Sequence, residues 1–288
     1  MWIWIGLEVY RCVVLKEQMT PIINMVIYFI SVMFSFLLYV LYNFCFGMIA
    51  FTNTYMFGVK RIEEAIFLFL VFSQIPNLDG WTFNELIFIY GFAQIPRGID
   101  HLLTDNIWIL AWNLVVSGRF DSYKLRPMNL YLQVIFEQLQ PDALGELLVG
   151  SILVVKSCMK GIVIIDGTHI CLFIVSMIAG SIIYTGVKLL FASFAFWMKI
   201  SGPVLFTAYS LSDFAKYPVN IYQKGIKFII TWIIPFAYVA YIPATYFLKA
   251  NVNPLTTIGV ECVIAVVLFT VAYAVFNKGT KVYESAGN

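Results

Sequence analysis

The sequence predicts an all-α integral membrane protein, and three observations carry that prediction. The chain of 288 residues is 61% hydrophobic and only 12% charged. A soluble domain would carry about twice that charged fraction. Its mean hydropathy is +0.86. The apolar residues are gathered into long uninterrupted runs, several of them near the ~20 residues that a helix needs to cross a bilayer. A net charge of +2 is too small to argue for nucleic acid as a partner.

Six spans follow from those runs, at about 22–48, 86–103, 144–165, 170–197, 226–248 and 258–276. The first is unbroken. The second is interrupted by Pro96 and Arg97, the third holds Lys156, the fourth Lys188, and the fifth Pro235 and Pro243. Before the first span, MWIWIGLEVYRCVVLKEQ puts its apolar run ahead of its bases, the reverse of a secretory signal, and reads as an amphipathic segment at the membrane surface. The run AIFLFLVF at 65–72 is too short to span and leaves 49–80 the least defined stretch.

Lysine and arginine set the orientation. With the N-terminus in the cytoplasm, that side receives Arg11, Lys16, Arg97, Arg119, Lys124, Arg126, Lys199, Lys216, Lys224, Lys227, Lys278 and Lys281. The outside receives only Lys60, Arg61, Lys160 and Lys249. Both termini and the loop between spans two and three are then cytoplasmic. That loop, about 105–127, is the most polar interruption of the chain. Thr104 is its candidate N-cap, and Ile107, Leu110, Ala111 and Leu114 have the spacing of one helix face, so a short helix is expected over 105–116. SDFAKYPVNIYQKGIKF, from Ser212, is expected as a second cytoplasmic segment leading into the fifth span.

Enzyme signatures are absent from the sequence. His101 and His169 are far apart in the sequence and no metal site is expected of them, and the five cysteines are scattered, most of them in apolar runs. No nucleophile elbow and no Gly-rich phosphate loop occurs. Lys156 and Glu261 lie near span ends and can reach the interface by snorkelling. Lys188 is deeper, and a charge there marks a cavity or a partner helix. Ser176 and Gly180 have the spacing of a close helix seam.

Five blocks together carry a family resemblance: DGWTFNELIFIYGF (79–92), NIWILAWNLVVSGRFDSYKLRPMNLYLQ (106–133), DALGELLVG (142–150), LSDFAKYPVNIYQKGIKFIITWIIPFAYVAYIPATYFL (211–248) and GTKVYESAGN (279–288). In this order they resemble the six-span permease subunits of ABC-2 (type V exporter) transporters, from about residue 76 onward. The resemblance implies a bacterial-type cytoplasmic membrane protein with no ATPase and no cofactor of its own. ATP and magnesium would sit on separate P-loop ATPase subunits. A second permease, identical or a sister chain, would complete the complex within membrane lipid, with no nucleic acid. It also implies that the loop 105–127 couples to the ATPase. Asp105, Trp108, Leu110, Trp112, Arg119, Lys124 and Arg126 are the candidate coupling residues; Lys188, Pro235 and Pro243 are candidates for the substrate path or a hinge. Two competing classes are an ion-coupled secondary carrier, which needs intramembrane charge pairs or repeated halves, and a membrane-embedded lipid-modifying enzyme, which needs a reactive constellation at one membrane face.

Overall fold

The computed structural model describes residues 77–78, 80–163, 166–249 and 252–284. The expected amphipathic start, the span 22–48 and the run 65–72 lie outside them. The described chain opens with a two-stranded hairpin, β1 (Asn77–Leu78) and β2 (Trp81–Thr82), whose turn holds Gly80 at φ +80°. Thr82 and Glu85 then form a capping box that starts α1 (Phe83–Thr104).

The loop that follows has helices of its own: α2 (Ile107–Ile109), prolonged by a π-helical turn (Leu110–Leu114), α3 (Phe120–Lys124) and α4 (Leu130–Phe136). Three long elements come next: α5 (Leu144–Met159), α6 (Gly167–Ser193) with its bent extension α7 (Ala195–Met198), and later α11 (Val260–Val282). Between them lie α8 (Gly202–Ser210), 3-10 turns at Leu211–Lys216 and Val219–Ile221, α9 (Lys224–Phe228) and α10 (Tyr241–Leu248).

Contacts fix the direction of each element. α5 runs antiparallel to α1: Lys160 Nζ donates to Asn84 Oδ1 (2.8 Å) at one end, and His101 lies 3.7 Å from Glu146 at the other. The two helices approach closely at Gly91 and Gly150. A Cβ on Gly150 would stand 2.9 Å from Gln94 Cβ and 3.1 Å from the Gly91 carbonyl. We expect Gly150→Val to cost about 1–3 kcal/mol through overpacking, read as a lower melting temperature in detergent. α6 runs parallel to α1, with Phe92 edge-on to Phe173 near one end and Asp100 beside Thr185 nearer the other. α11 follows α6 in the same sense, from the Ser176–Glu261 hydrogen bond (2.6 Å) to the contact of Gly279 with Phe196. The small residues Ser176 and Gly180 are both buried, but against different neighbours: Ser176 meets Glu261 on α11, whereas a Cβ on Gly180 would meet Pro96 on α1 at 3.0 Å.

Two expectations are corrected. The segment from Ser212 does not lie with the loop 105–127. The chain climbs alongside α1, from Ser201 N–H bonded to the Ala111 carbonyl (2.9 Å), through Tyr209 at Asp100 and Asp213 at Arg97 (2.8 Å), to Lys216 above the Tyr90 ring. Its charges are paired at this depth: Asp213 bridges the two cations Arg97 and Lys216. Secondly, the apolar run 226–248 is not one helix. Lys224–Ile233 and Phe236–Leu248 meet at a 75° bend.

The cause of that bend is local. Pro235 supplies no N–H, and Ile234 before it is extended (φ −123°, ψ 95°), as a residue preceding proline prefers. Pro243 makes no kink, because it lies in the first turn of α10, where its missing N–H is not needed. The tip of the bent pair, Ile234 and Phe236, packs among Tyr184, Ala208 and Ala265. Its outer ends return to the start of α1: Lys227 bonds Asn220, and Lys249 lies over Trp81.

The surface of the long helices is apolar. On α5, Leu144, Leu148, Ile152, Val155 and Met159 form one exposed stripe, and Val263, Val266 and Val267 do the same on α11. Gly167–Met198 and Leu255–Val282 are each long and apolar enough to cross a membrane, and the bent pair would be a third such element if counted as one. Apolar outside and polar at the centre is the arrangement that lipid favours.

Candidate coupling site

The loop 105–127 is a compact platform rather than an open connection. Ile107, Leu110, Ala111 and Leu114 are all buried, as the helical stripe predicts. They join Phe120, Tyr123, Val134 and Ile135, and on the other side Leu189, Ala192, Leu205, Ala272 and Phe276. One core therefore unites the loop with the ends of α6, α8 and α11. The helix is shorter than expected at both ends. Thr104 is not its cap: it closes α1, with its hydroxyl donating back to the Asp100 carbonyl and within 2.6 Å of Asp100 Oδ1.

Further polar bonds hold the platform. Asn106 Nδ2 donates to the Val134 carbonyl (2.5 Å). Asn129, last residue of the Leu-Arg-Pro-Met-Asn block, caps α4 by accepting from the N–H groups of Tyr131 and Leu132, and its own amide donates to Tyr273 on α11. Gln133 donates to the carbonyls of Tyr123 and Met128. The buried Tyr123 hydroxyl donates to Glu137. Burial first, and then Glu137, push that hydroxyl up to about 12, so it stays neutral and a donor at physiological pH. The C-terminal block arrives here too: Tyr283 packs on Phe120, and Lys124 lies over its ring.

The candidate coupling residues separate by depth. Leu110 is core. Trp108 is half-buried, edge-on to Tyr209 (5.6 Å). Trp112 is 47% exposed beside Gly202. Arg119, Lys124 and Arg126 are exposed, Arg126 over the Tyr123 ring. Leu125, 86% exposed, and Met128 add an apolar surface that the sequence reading did not single out; the only sequence signal was their place beside Pro127 in a helix-breaking block.

Asp105 leads inward. Its Oδ1 is 3.0 Å from Lys188 Nζ, and Lys188 is also 2.8 Å from Asp100 Oδ2. Lys188 and Asp100 are essentially without solvent exposure. Asp100 accepts a second bond on Oδ2 from Tyr209 (3.0 Å), while Oδ1 accepts from Thr185 (2.9 Å) and lies 2.6 Å from the Thr104 hydroxyl. A buried carboxylate is thus matched by a cation and hydroxyl groups from α1, α6 and α8. Beside it opens a cleft of about 290 Å3 with Asp100, Thr104, Thr185 and Ser181 among its polar lining and Ile99, Leu103, Ile182 and Phe269 as apolar walls. Lys188 is not part of that lining. Neither Asp100 nor Tyr209 was legible as a partner of Lys188, being 88 and 21 residues away in the chain.

An apolar exterior, a buried polar network and a folded loop at the end where α11 terminates define a multi-pass membrane protein of helical architecture. A family model described as ABC-2 family transporter protein matches residues 59–287. That is most of the chain, which therefore belongs to the ABC-2 family of transporters. No curated protein and no solved structure matches it.

Proposed function

We propose that this chain is the permease subunit of an ATP-binding cassette exporter, driven by separate P-loop ATPase subunits that dock on the loop 105–127. The observation that carries the reading is the loop's construction. It is folded around a core continuous with the long helices α6 and α11 and the shorter α8, while its outer surface offers the cations Arg119, Lys124 and Arg126 and the apolar groups Trp112, Leu125 and Met128. An anchored platform with such a surface suits a partner with acidic and apolar groups, and it can pass a displacement to the helices rather than absorb it.

In this reading α1, α5, α6, the stretch 202–222 and α11 cross the bilayer, with the span expected at 22–48 as the sixth crossing. The bent pair enters and leaves on the outer face. The loop and both termini are cytoplasmic, in a bacterial-type inner membrane, and a second permease completes the path.

The test is copurification in mild detergent from native membranes. We expect a stoichiometric P-loop ATPase, with or without a sister permease, and hydrolysis that depends on this chain. A chain that comes alone, in vesicles that transport without ATP, overturns the proposal. One feature favours a second reading, an ion-coupled carrier: Glu261 is fully buried, bonded only to Ser176, and its Oε1 has no partner among the described residues. That reading expects transport driven by a proton gradient and abolished in Glu261→Gln.

A further inference from the structure

We infer that the Asp105–Lys188 ion pair is the link through which the loop moves helix α6, with Asp105 as a detachable positioning residue and Lys188 as the receiving one. The inference rests on the exporter reading above and names the joint within it.

The geometry distinguishes the two carboxylates that share Lys188. Asp100 is sealed in the interior, and both its oxygens are engaged even without Asp105: Oδ2 by Lys188 and Tyr209, Oδ1 by Thr185 and Thr104. Removing Asp105 therefore leaves neither Lys188 nor Asp100 as an unpaired buried charge. Asp105 itself is part-exposed, sits outside the last residue of α1, and among the described residues its carboxylate keeps a loose second contact, to His101 at 3.8 Å. It can let go of Lys188 at modest cost, which a switch requires and a purely structural pair does not.

The other ties between the platform and α6 are largely apolar, through Leu189 and Ala192, with Phe196 on α7, and such contacts are non-directional. The ion pair is directional. It joins the first residue after α1 to a point one turn above the end of α6. A displacement of the loop that keeps the pair pulls α6 with it; one that breaks the pair leaves α6 on Asp100 alone. The two arrangements are discrete, as conformational transmission demands.

The experiment uses a native reporter. Cys171 is an exposed thiol in the first turns of α6, at the end remote from Lys188. In the full complex with its ATPase, with Cys12, Cys45, Cys158 and Cys262 replaced by serine, the rate of maleimide labelling at Cys171 is compared between nucleotide-free and ATP-vanadate-trapped states. We expect a several-fold ratio in the parent, a ratio close to one in Asp105→Ala, and recovery in Asp105→Glu, with all three complexes melting within a few degrees of each other. A ratio that survives in Asp105→Ala overturns the inference, and so does a parent ratio of one, because α6 would then not be the receiving element. Collapse of the Asp105→Ala complex, or loss of its ATPase, also overturns it, by making Asp105 a folding or docking residue. Failure of the exporter reading is distinct: no ATPase would be present in the parent complex.

Discussion

Lys188→Ala is expected to lower the stability of the folded chain by about 3–5 kcal/mol, the usual result of removing one partner of a buried ion pair. The substitution leaves Asp100, only 1% exposed, with hydroxyl donors and no cation. The loss should appear as poor recovery of monodisperse protein and a sharply lowered melting temperature in detergent. The double variant Lys188→Met with Asp100→Asn separates charge from shape. Asparagine keeps Oδ1 for Thr104 and Thr185 and can donate its amide to the Tyr209 oxygen, so much of the stability should return. If Lys188→Ala is as stable as the parent, the triad is not a buried ion network.

Arg126→Glu is expected to do the opposite: leave the fold intact and damage the complex. Arg126 is exposed, and its one aromatic neighbour, Tyr123, is held independently by Glu137. Reversing the charge places like charges against an acidic partner, at a cost of several kcal/mol in well-packed interfaces. ATPase recovered with the chain should fall about tenfold or more, and the loss should be partly relieved at high salt. Trp108→Ala makes the instructive contrast. Its ring packs inward on Tyr209, so its removal should loosen the platform against α8, by roughly 0.5–1.5 kcal/mol for the aromatic pair, and weaken transport per ATP more than ATPase recovery. Equal ATPase recovery with wild-type and Arg126→Glu chains would remove the loop's basic surface from the interface.

The sequence was legible wherever one physical signal acted alone. Apolar runs marked α1, α5, α6 and α11, with boundaries displaced by a few residues. The stripe Ile107, Leu110, Ala111 and Leu114 lies on one buried face, and Lys188 stood out because a lysine in lipid needs a partner. The climb from Gly202 to Tyr222 was misread because hydropathy counts Asp213 and Lys216 as if each stood in water. In the fold Asp213 lies between two cations, Lys216 and Arg97, and the position of Arg97 more than a hundred residues earlier is one that no local pattern reveals. The run 226–248 was misread for the complementary reason. It has the composition of a span, and only the backbone chemistry of Ile234–Pro235 divides it. The partners of Lys188 were hidden in the same way: Asp100 is far from it in the chain, and only the packing of α1, α6 and α8 brings them together.

The route of the chain between Gly202 and Leu248 also bears on how the protein is made. With the bent pair opening at the α1 start, Lys224 and Lys227 join Lys160 and Lys249 at that end, against Arg119, Lys124, Arg126, Lys199, Lys278 and Lys281 at the loop end. Among the described residues, six bases against four is a weak vote, and half of the six belong to one loop, threaded early in synthesis between α1 and α5. The insertion machinery would thus read its instruction from the same three side chains that we propose as the docking surface for the ATPase. A chain stripped of all three could emerge upside down before it ever lacked a partner, so the docking surface has to be dissected one charge at a time.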